Sequence, residues 1–554
     1  MLPDMSFHKV LGKYRNISYS ERDKGNRFER LIQAYFYTDP QYTHLAKIWL
    51  WNEFPYRKDF GSHDIGIDLV AQTTEGEYWA IQCKCYQEEA RISKEEVDAF
   101  LSTSGKSFID NQGNRTKFAR RVWVSTTNNW SSKANEALQH QDPPVTRINL
   151  SDLQEAPVDW IKIDQGIYGE KARTAKKQLR PHQREALERT IDYFNAGNTR
   201  GKLIMACGTG KTFTSLRIAE ELTNQSGTIL FLVPSIALLG QTLREWTADA
   251  REEINAIAIC SDSEITKEKK KNEDAETFSV VDLAVPASTN VDSILKQFEY
   301  FELTNKKGMT VVFSTYQSID VVSKAQKRLE SIGSKYEKFD LIICDEAHRT
   351  TGVTLAGEDE SSFVKVHYDS FINADKRIYM TATPRLYGEE SKRKAEQASA
   401  VICSMDDENL YGQEIYRIGF GQAVDRGLLS DYKVLILTLS ENDVTPEVQK
   451  VLANSEQEIV GINDVSKLIG CINAMSKQII DDTKSVHIND PEPMRRAVAF
   501  LPNIKTSRKV TNTINEITDT YYDSVPELKK ETLVKLRSKH IDGSMSATER
   551  DQLM

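Results

Sequence analysis

The segment that most constrains the fold is a glycine-rich stretch at residues 205–212, Met-Ala-Cys-Gly-Thr-Gly-Lys-Thr. An apolar run precedes it at 203–205 and a helical pattern follows it at 213–222, which predicts a strand, a tight turn and a helix. Gly208 and Gly210 let the backbone N–H groups turn towards phosphate oxygens at the positive end of that helix. The sequence therefore predicts a phosphate-binding loop on an α/β scaffold.

The residues of this loop indicate which ligand it takes. Lys211 can reach the β- and γ-phosphates of a nucleoside triphosphate, and the Thr212 hydroxyl is suited to ligate Mg²⁺. Thr209 lies between the two glycines and belongs to the same binding loop. The usual phosphate-binding pattern, G-x-x-x-x-G-K-[ST], begins with glycine, and this sequence has Met205 at that position. We expect an ATP and Mg²⁺ site here; the alternative is a glycine turn before a helix with no ligand.

Composition sets the limits on what the whole chain can be. At 554 residues it is too long for one core, and roughly three or four domains are expected. The net charge of −9 does not indicate nucleic-acid binding, but a basic channel in an acidic surface would suffice because local charge determines phosphate contacts. The seven cysteines are scattered without a CxxC pair, and neither a signal-peptide pattern nor a membrane-length apolar run is present. A cytoplasmic location is predicted.

A second apolar run, at 341–344, ends in two carboxylates. Strand ends of a parallel sheet meet at its carboxyl edge, so Asp345 and Glu346 are expected beside the phosphate-binding loop. Asp345 is suited to hold Mg²⁺, and Glu346 to polarise an attacking water. His348 is expected to couple this motif to the next strand end.

The phosphate-binding loop, the Asp345–Glu346 motif and a Thr-Ala-Thr-Pro at 381–384 occur in that order, each after an apolar strand. This arrangement resembles the superfamily 2 motor domain. The resemblance implies that the amide of Gln183 reads the adenine edge, although an ordinary helix start after Pro181 would also explain that stretch. It further implies nucleic-acid contacts from residues at strand ends or in the helix that follows one, namely Ser235, Gln241, Thr315, Thr381 and Thr383.

The first 165 residues predict a different α/β domain. Residues 25–36 have apolar side chains at helical spacing, and a β-hairpin follows at 66–86. Period-two alternation puts Gln82 and Lys84 on one face of the second strand, where Asp68 of the neighbouring strand meets them. An acid, a second oxygen ligand and a lysine are what metal-dependent phosphodiester cleavage requires.

The hairpin pattern resembles the Mrr-like branch of the PD-(D/E)xK nucleases. The resemblance implies that Asp68 and Gln82 bind Mg²⁺, that Lys84 positions or deprotonates the attacking water, and that an acid on the first helix, Glu29, completes the catalytic site. Gln82 replaces the usual carboxylate, and a neutral ligand is expected to bind Mg²⁺ more weakly. The alternatives are a charged hairpin surface or a nuclease that has lost activity.

The predicted architecture is an Mrr-like restriction-endonuclease fold followed by two RecA-like parallel α/β motor domains, the second of them incomplete. Its boundaries are 1–165 for the nuclease, 166–180 for a basic linker, 181–410 for the first motor domain and 411–554 for the second. In the second, strands are expected at 434–439, 496–504 and 540–545, with a helix at 505–517. The chain ends before the motifs that carry the arginines contacting the γ-phosphate. We expect a fragment of a longer protein; the alternative is a defective motor.

A nuclease fused to such a motor resembles the single-polypeptide type I, or type ISP, restriction–modification enzymes. Stretches at 404–408, 427–432 and 540–545 add to the likeness. The resemblance implies an ATP-dependent translocase on double-stranded DNA with a Mg²⁺-dependent endonuclease, continuing into methyltransferase and target-recognition domains. A helicase–nuclease of DNA repair or of another phage defence, and a DNA-binding ATP switch with an inactive nuclease fold, are the alternatives.

Overall fold

The computed structural model describes most of the chain in two compact units. The first unit comprises residues 1–264 and 278–430, and the second comprises 265–277 and 431–554. The described residues are 6–60, 66–139, 141–260, 280–283, 287–354, 361–390, 393, 401–431, 462–476, 493–501, 504–531 and 533–541.

The first unit begins with a mixed six-stranded sheet in the order β1-β2-β3-β5-β4, with β6 beside β5. Its strands are β1 Leu45–Leu50, β2 Leu69–Thr73, β3 Tyr78–Lys84, β4 Ser107–Ile109, β5 Arg115–Ser125 and β6 Val145–Ile148. Strands β2 and β3 form the predicted antiparallel hairpin, whereas β3, β5 and β6 run parallel. The central β3 carries the predicted nuclease residues Gln82 and Lys84.

Helices cover both faces of this sheet. They are α1 Ser6–Ile17, α2 Glu21–Thr38, α3 Lys94–Ser104, α4 Ser132–Leu138, α5 Leu150–Glu155 and α6 Trp160–Asp164. Successive residues of a strand point to opposite faces. Accordingly Trp79, Ile81 and Cys83 are buried in the core that includes α2, while Ala80 is buried in the other core. Helix α2 contains the helix predicted at 25–36.

The rest of the first unit is built on a seven-stranded parallel sheet in the order β15-β7-β13-β11-β8-β10-β9. Its strands are β7 Arg200–Met205, β8 Thr228–Val233, β9 Asn255–Ile259, β10 Thr310–Thr315, β11 Phe339–Cys344, β13 Ala374–Thr381 and β15 Gln413–Ile418. Helices on both faces bury the central strands, which explains their continuous apolar runs.

The helices of this part are α7 Pro181–Asn195, α8 Lys211–Leu222, α9 Ile236–Asp249, α10 Val291–Leu303, α11 Ile319–Ser331, α12 Glu408–Tyr411 and α13 Phe420–Asp425. A small antiparallel pair, β12 Gly352–Thr354 and β14 Val401–Cys403, stands apart from the main sheet.

The predicted boundary after residue 410 is too early. Strand β15 pairs in parallel with β7, and the N–H of Ala206 donates a hydrogen bond to the carbonyl of Ile418 at 3.0 Å. The first unit therefore extends to Ser430.

In the second unit, the described residues form α14 Ile462–Met475, α15 Ile504–Ser524 and α16 Glu527–Lys530. Helix α15 confirms the helix predicted at 505–517. The strand predicted at 496–504 is wrong: residues 496–501 are irregular, and the described residues of this unit include no strand with which they could pair. The strand predicted at 434–439 and most of the one at 540–545 lie outside the described residues.

Across the described ranges, no helix combines the length and the apolar character needed to cross a bilayer.

Candidate nuclease and nucleotide sites

Asp68 lies just before β2 and is held in line with the sheet. Its N–H donates to the carbonyl of Ile81 at 2.9 Å, and its carbonyl accepts from the N–H of Trp51 at 2.7 Å. One carboxylate oxygen, Oδ2, accepts hydrogen bonds from the Gln82 amide and, at 2.6 Å, from the backbone N–H of Cys83. The structure therefore brings Asp68 and Gln82 together, as the hairpin pattern predicts.

Lys84 follows Gln82 by two residues on β3, and Glu29 lies on α2, which packs against this part of the sheet. Burial raises the pKa of the Cys83 thiol well above its usual value; Asp68 and Glu29 raise it further, and Lys84 opposes them. All three charged side chains are therefore within electrostatic range of the end of β3. Asp68, Lys84 and Glu29 are each half-buried, so the cluster is reachable from solvent.

The donors present are compatible with a hard divalent cation. Asp68 supplies carboxylate oxygens and Gln82 supplies an amide oxygen, the ligand types that Mg²⁺ prefers. A half-turn of the Gln82 amide would present its oxygen, in place of its nitrogen, towards Asp68. The part of the chain that the structure describes contains no cluster of three His, Cys, Asp or Glu side chains suited to a metal. One carboxylate and one amide would make a weak site.

Two supporting residues were not assigned a role from the sequence. Gly66 has a φ of +73°, and a Cβ there would lie 3.1 Å from Gln82 Oε1, so a side chain at this position would crowd the amide. Glu96 on α3 has a lowered pKa: burial opposes the shift, but hydrogen bonds from Tyr86 and Ser93 and the charge of Lys84 outweigh it. Gly66, two residues before Asp68, could have been singled out from the sequence, whereas Glu96 showed only a helix-capping pattern.

The phosphate-binding loop has the predicted strand–turn–helix form. Gly208 and Gly210 adopt φ values of +81° and +84°, and α8 begins at Lys211. The Lys211 ammonium donates to the carbonyl of Met205 at 3.4 Å and lies 3.8 Å from Glu346 Oε1. The Thr209 hydroxyl donates to the Ala206 carbonyl at 2.6 Å, which closes the turn.

The two carboxylates after β11 lie at the same edge of the sheet. Glu346 has a φ of +47°, a left-handed conformation that costs on the order of 1–3 kcal/mol and recurs at functional sites. Burial, and then repulsion from Glu346, raise the pKa of Asp345 to about 6. A divalent cation held by Asp345 and Thr212 would reverse that shift, so these residues are chemically suited to Mg²⁺.

His348 connects this acidic pair to the end of β13. Its Nδ1 lies 3.3 Å from Glu346 Oε2 and 3.0 Å from the Thr381 hydroxyl, which in turn accepts from the N–H of Thr383 at 3.1 Å. Burial lowers the pKa of His348, although Glu346 opposes this, so the ring is neutral at pH 7. His348 therefore contacts both motifs, and its role in coupling them stays a prediction.

Gln183 supports the loop itself. Its side-chain oxygen accepts from the N–H of Arg180 at 2.9 Å, and its NH₂ donates to the carbonyls of Gly210 at 3.3 Å and Thr209 at 3.4 Å. Adenine recognition by Gln183 stays a prediction, and the amide would have to serve the base and the loop together.

The residues predicted to contact nucleic acid divide by exposure. The Thr315 and Thr381 side chains are buried, so in this conformation they cannot touch nucleic acid directly, and that part of the prediction is corrected. A strand end sets a residue's place in the sheet but not its exposure. Gln241 and Thr383 are exposed. The hydroxyl of Ser235 accepts from the N–H of Leu238 at 3.3 Å and caps α9.

Two protein-family models match the first unit. The model described as restriction endonuclease matches residues 37–170. The model described as type III restriction enzyme, res subunit, matches residues 176–386. The first match contains Asp68, Gln82 and Lys84, and the second contains the phosphate-binding loop and the Asp345–Glu346 pair.

A solved structure resembles almost the entire chain. It is described as the ATP-dependent Type ISP restriction-modification enzyme LlaBIII bound to DNA; the match has 35% identity and a TM-score of 0.75 and covers 98% of this chain and 33% of that one. The Type I restriction enzyme EcoAI endonuclease subunit of Escherichia coli is 24% identical over 47% of this chain and 24% of its own length. A probable helicase of African swine fever virus is 25% identical over 66% of this chain and 36% of its own. This chain thus spans 24% to 36% of the lengths of these three relatives.

Proposed function

We propose that this chain, a homologue of the Type ISP restriction–modification enzymes, is the nuclease and motor part of an ATP-dependent DNA translocase that cleaves foreign double-stranded DNA in the cytoplasm. One observation carries the proposal. A single compact unit holds both the Asp68–Gln82–Lys84 cluster and the phosphate-binding loop, with its paired carboxylates, on neighbouring sheets.

The nuclease chemistry follows from the residues at the end of β3. Mg²⁺ held by Asp68 and Gln82 would supply a water of lowered pKa and offset phosphate charge. Lys84, two residues along β3 from Gln82, would orient the water or accept its proton. Glu29, from α2, would add a second negative side chain that helps to retain the cation.

The motor chemistry follows from the contacts of Lys211 and Glu346. Lys211 would exchange its contact with Glu346 for the β- and γ-phosphates of ATP, which releases the carboxylate to orient an attacking water. Thr212 and Asp345 would hold the Mg²⁺ that accompanies the nucleotide. Glu346 also contacts His348, which contacts Thr381 at the predicted nucleic-acid edge. A movement of Glu346 after the loss of the Lys211 contact would therefore reach Thr381 through His348.

Plasmid cleavage by the full-length gene product in Mg²⁺, with and without ATP, tests the proposal. We expect double-strand cleavage only when ATP is present. Cleavage that is indifferent to ATP would overturn the coupling and favour a nuclease of repair or processing. DNA-stimulated ATP turnover without any cleavage would favour a DNA-binding ATP switch.

A further inference from the structure

The nuclease sheet is attached to the motor sheet through helix α9. Arg244 of α9 donates from Nη1 to Glu155 Oε2 at 2.9 Å and lies 3.6 Å from Asp152 Oδ1, both on α5 of the nuclease. The Arg244 and Asp152 side chains are largely buried, with exposed fractions of 20% and 23%. Removing one partner of such a pair leaves the other buried and uncompensated. The contact thus fixes α5 against α9.

A second attachment comes from the motor chain between β9 and α10. Asp282 forms a two-point ion pair with Arg147 of β6, with Nη2 to Oδ2 at 3.0 Å. The adjacent Leu283 carbonyl accepts from the guanidinium of the buried Arg120 at 3.1 Å. Two-point guanidinium–carboxylate pairs add geometric specificity. The nuclease sheet is therefore held at two points, which restricts rotation about α9.

The second attachment leads directly to the candidate catalytic strand. The Arg120 guanidinium lies over the ring of Trp79, 4.9 Å from its centroid. Trp79 is on β3, which also carries Gln82 and Lys84. A displacement of the motor segment that carries Leu283 would therefore reach β3 through a single intervening side chain.

The same helix, α9, begins at the predicted nucleic-acid edge of the motor and also contacts its phosphate-binding loop. Its first residue follows Ser235, one of the residues predicted to face nucleic acid. Near its other end, the Trp246 indole N–H donates to the carbonyl of Thr212 in the phosphate-binding loop at 3.1 Å. A helix of 14 residues spans about 21 Å, so one rigid element links the DNA edge, the nucleotide loop and the nuclease.

We infer that α9 is the element through which the motor controls the nuclease, and that Arg244 is the positioning residue that transmits this control to α5. The inference rests on the proposed function, since it concerns how the two activities are coupled. Arg244 contacts neither the candidate nuclease cluster nor the nucleotide loop. Its loss should therefore uncouple the two activities without removing either site.

The test uses full-length protein carrying Arg244→Ala, assayed for DNA-stimulated ATP turnover and for ATP-dependent cleavage of the same plasmid. We expect cleavage to fall by about tenfold, within the usual range of coupling free energies between sites, while ATP turnover stays within about twofold. Arg244→Lys keeps the charge and should recover part of the cleavage.

Lys177→Ala is the matched control. Lys177 also pairs with an acid of α9, Asp249, at 3.0 Å, but it belongs to the linker and does not reach α5. This variant should match the wild type in both assays. Unchanged cleavage in Arg244→Ala, or an equal loss of cleavage and ATP turnover, would overturn the inference. Absence of ATP-dependent cleavage in the wild type would instead contradict the proposed function.

Discussion

Gln82 is the residue that separates this candidate nuclease site from one built on two carboxylates. Its amide is buried beside Asp68, and a neutral ligand lowers the attraction for a cation. We expect Gln82→Glu to reduce the Mg²⁺ concentration for half-maximal plasmid cleavage by roughly tenfold, equivalent to about 1.4 kcal/mol.

Without metal, the new carboxylate would lie against Asp68, so the thermal midpoint of Gln82→Glu should fall in EDTA and recover with Mg²⁺. An unchanged Mg²⁺ requirement would mean that residue 82 is not a metal ligand. Lys84→Ala serves as the inactive reference for the cleavage assay.

The ionised carboxylate of Asp345, in the candidate nucleotide site, lowers the stability of the fold. Its folded pKa, about 6, lies above the value of 3.8 expected for an unperturbed carboxyl, so the ionised group destabilises the fold. That penalty is fully present above pH 6 and disappears as the pH falls towards the unfolded value. In EDTA we expect Asp345→Asn to be more stable than the wild type by about 3 kcal/mol at pH 7.5, with a smaller gain at pH 5. Thermal unfolding at the two pH values measures this, and an equal gain at both would contradict it.

At the scale of elements, the phosphate-binding loop depends on the contact between Gly210 and α7. A Cβ at Gly210 would lie 2.3 Å from Gln183 Nε2, which must then leave the loop carbonyls. Gly197 provides a matched control, because its φ of +92° is similarly positive but a Cβ there meets nothing within 4 Å. Both alanine variants should lose about 1–2 kcal/mol from the left-handed backbone.

Only Gly210→Ala should also lose ATP turnover, because it displaces the amide that supports the loop. Nucleotide titration and thermal unfolding of the two variants separate the steric effect from the backbone effect. Equal ATP turnover in both would show that the Gln183 contact does not shape the loop.

Local patterns predicted the elements but not their neighbours. Helix α2 and the β2–β3 hairpin follow from periodicity that a short window contains. Strand β15 was assigned to the next domain because its pairing with β7 joins residues more than 200 positions apart. Asp282 is a single charge in a largely apolar stretch, and nothing nearby in the sequence indicates its partner Arg147, 135 residues away.

The same limit applies to the sites. Residue type and spacing located the Asp68, Gln82 and Lys84 cluster, because alternation fixes which side chains share a face. Exposure depends on what packs over a strand end, which the local pattern does not contain. Thr315 was therefore predicted as a contact residue, whereas its side chain is buried. The supporting role of Gly66 depends on the position of the Gln82 amide, which only the folded chain defines.

For the whole molecule, the two candidate sites lie in one compact unit, and each contains its own lysine. Lys84 is half-buried at the end of β3, and Lys211 begins α8 on the other sheet. Arg244 and Asp282 provide the connections between the sheets, and neither belongs to a site. The two lysines therefore allow each activity to be removed without disturbing the attachment.

We expect Lys84→Ala to abolish plasmid cleavage while DNA-stimulated ATP turnover stays within about twofold of the wild type, since no contact of Lys84 reaches the nucleotide loop. Lys211→Ala should abolish ATP turnover because the loop loses its only lysine, and ATP-dependent cleavage should disappear with it. Parallel assays of both variants on one plasmid measure this. Cleavage that survives Lys84→Ala would sink the nuclease assignment. Cleavage that survives Lys211→Ala while ATP turnover is lost would show that the nuclease acts without the motor.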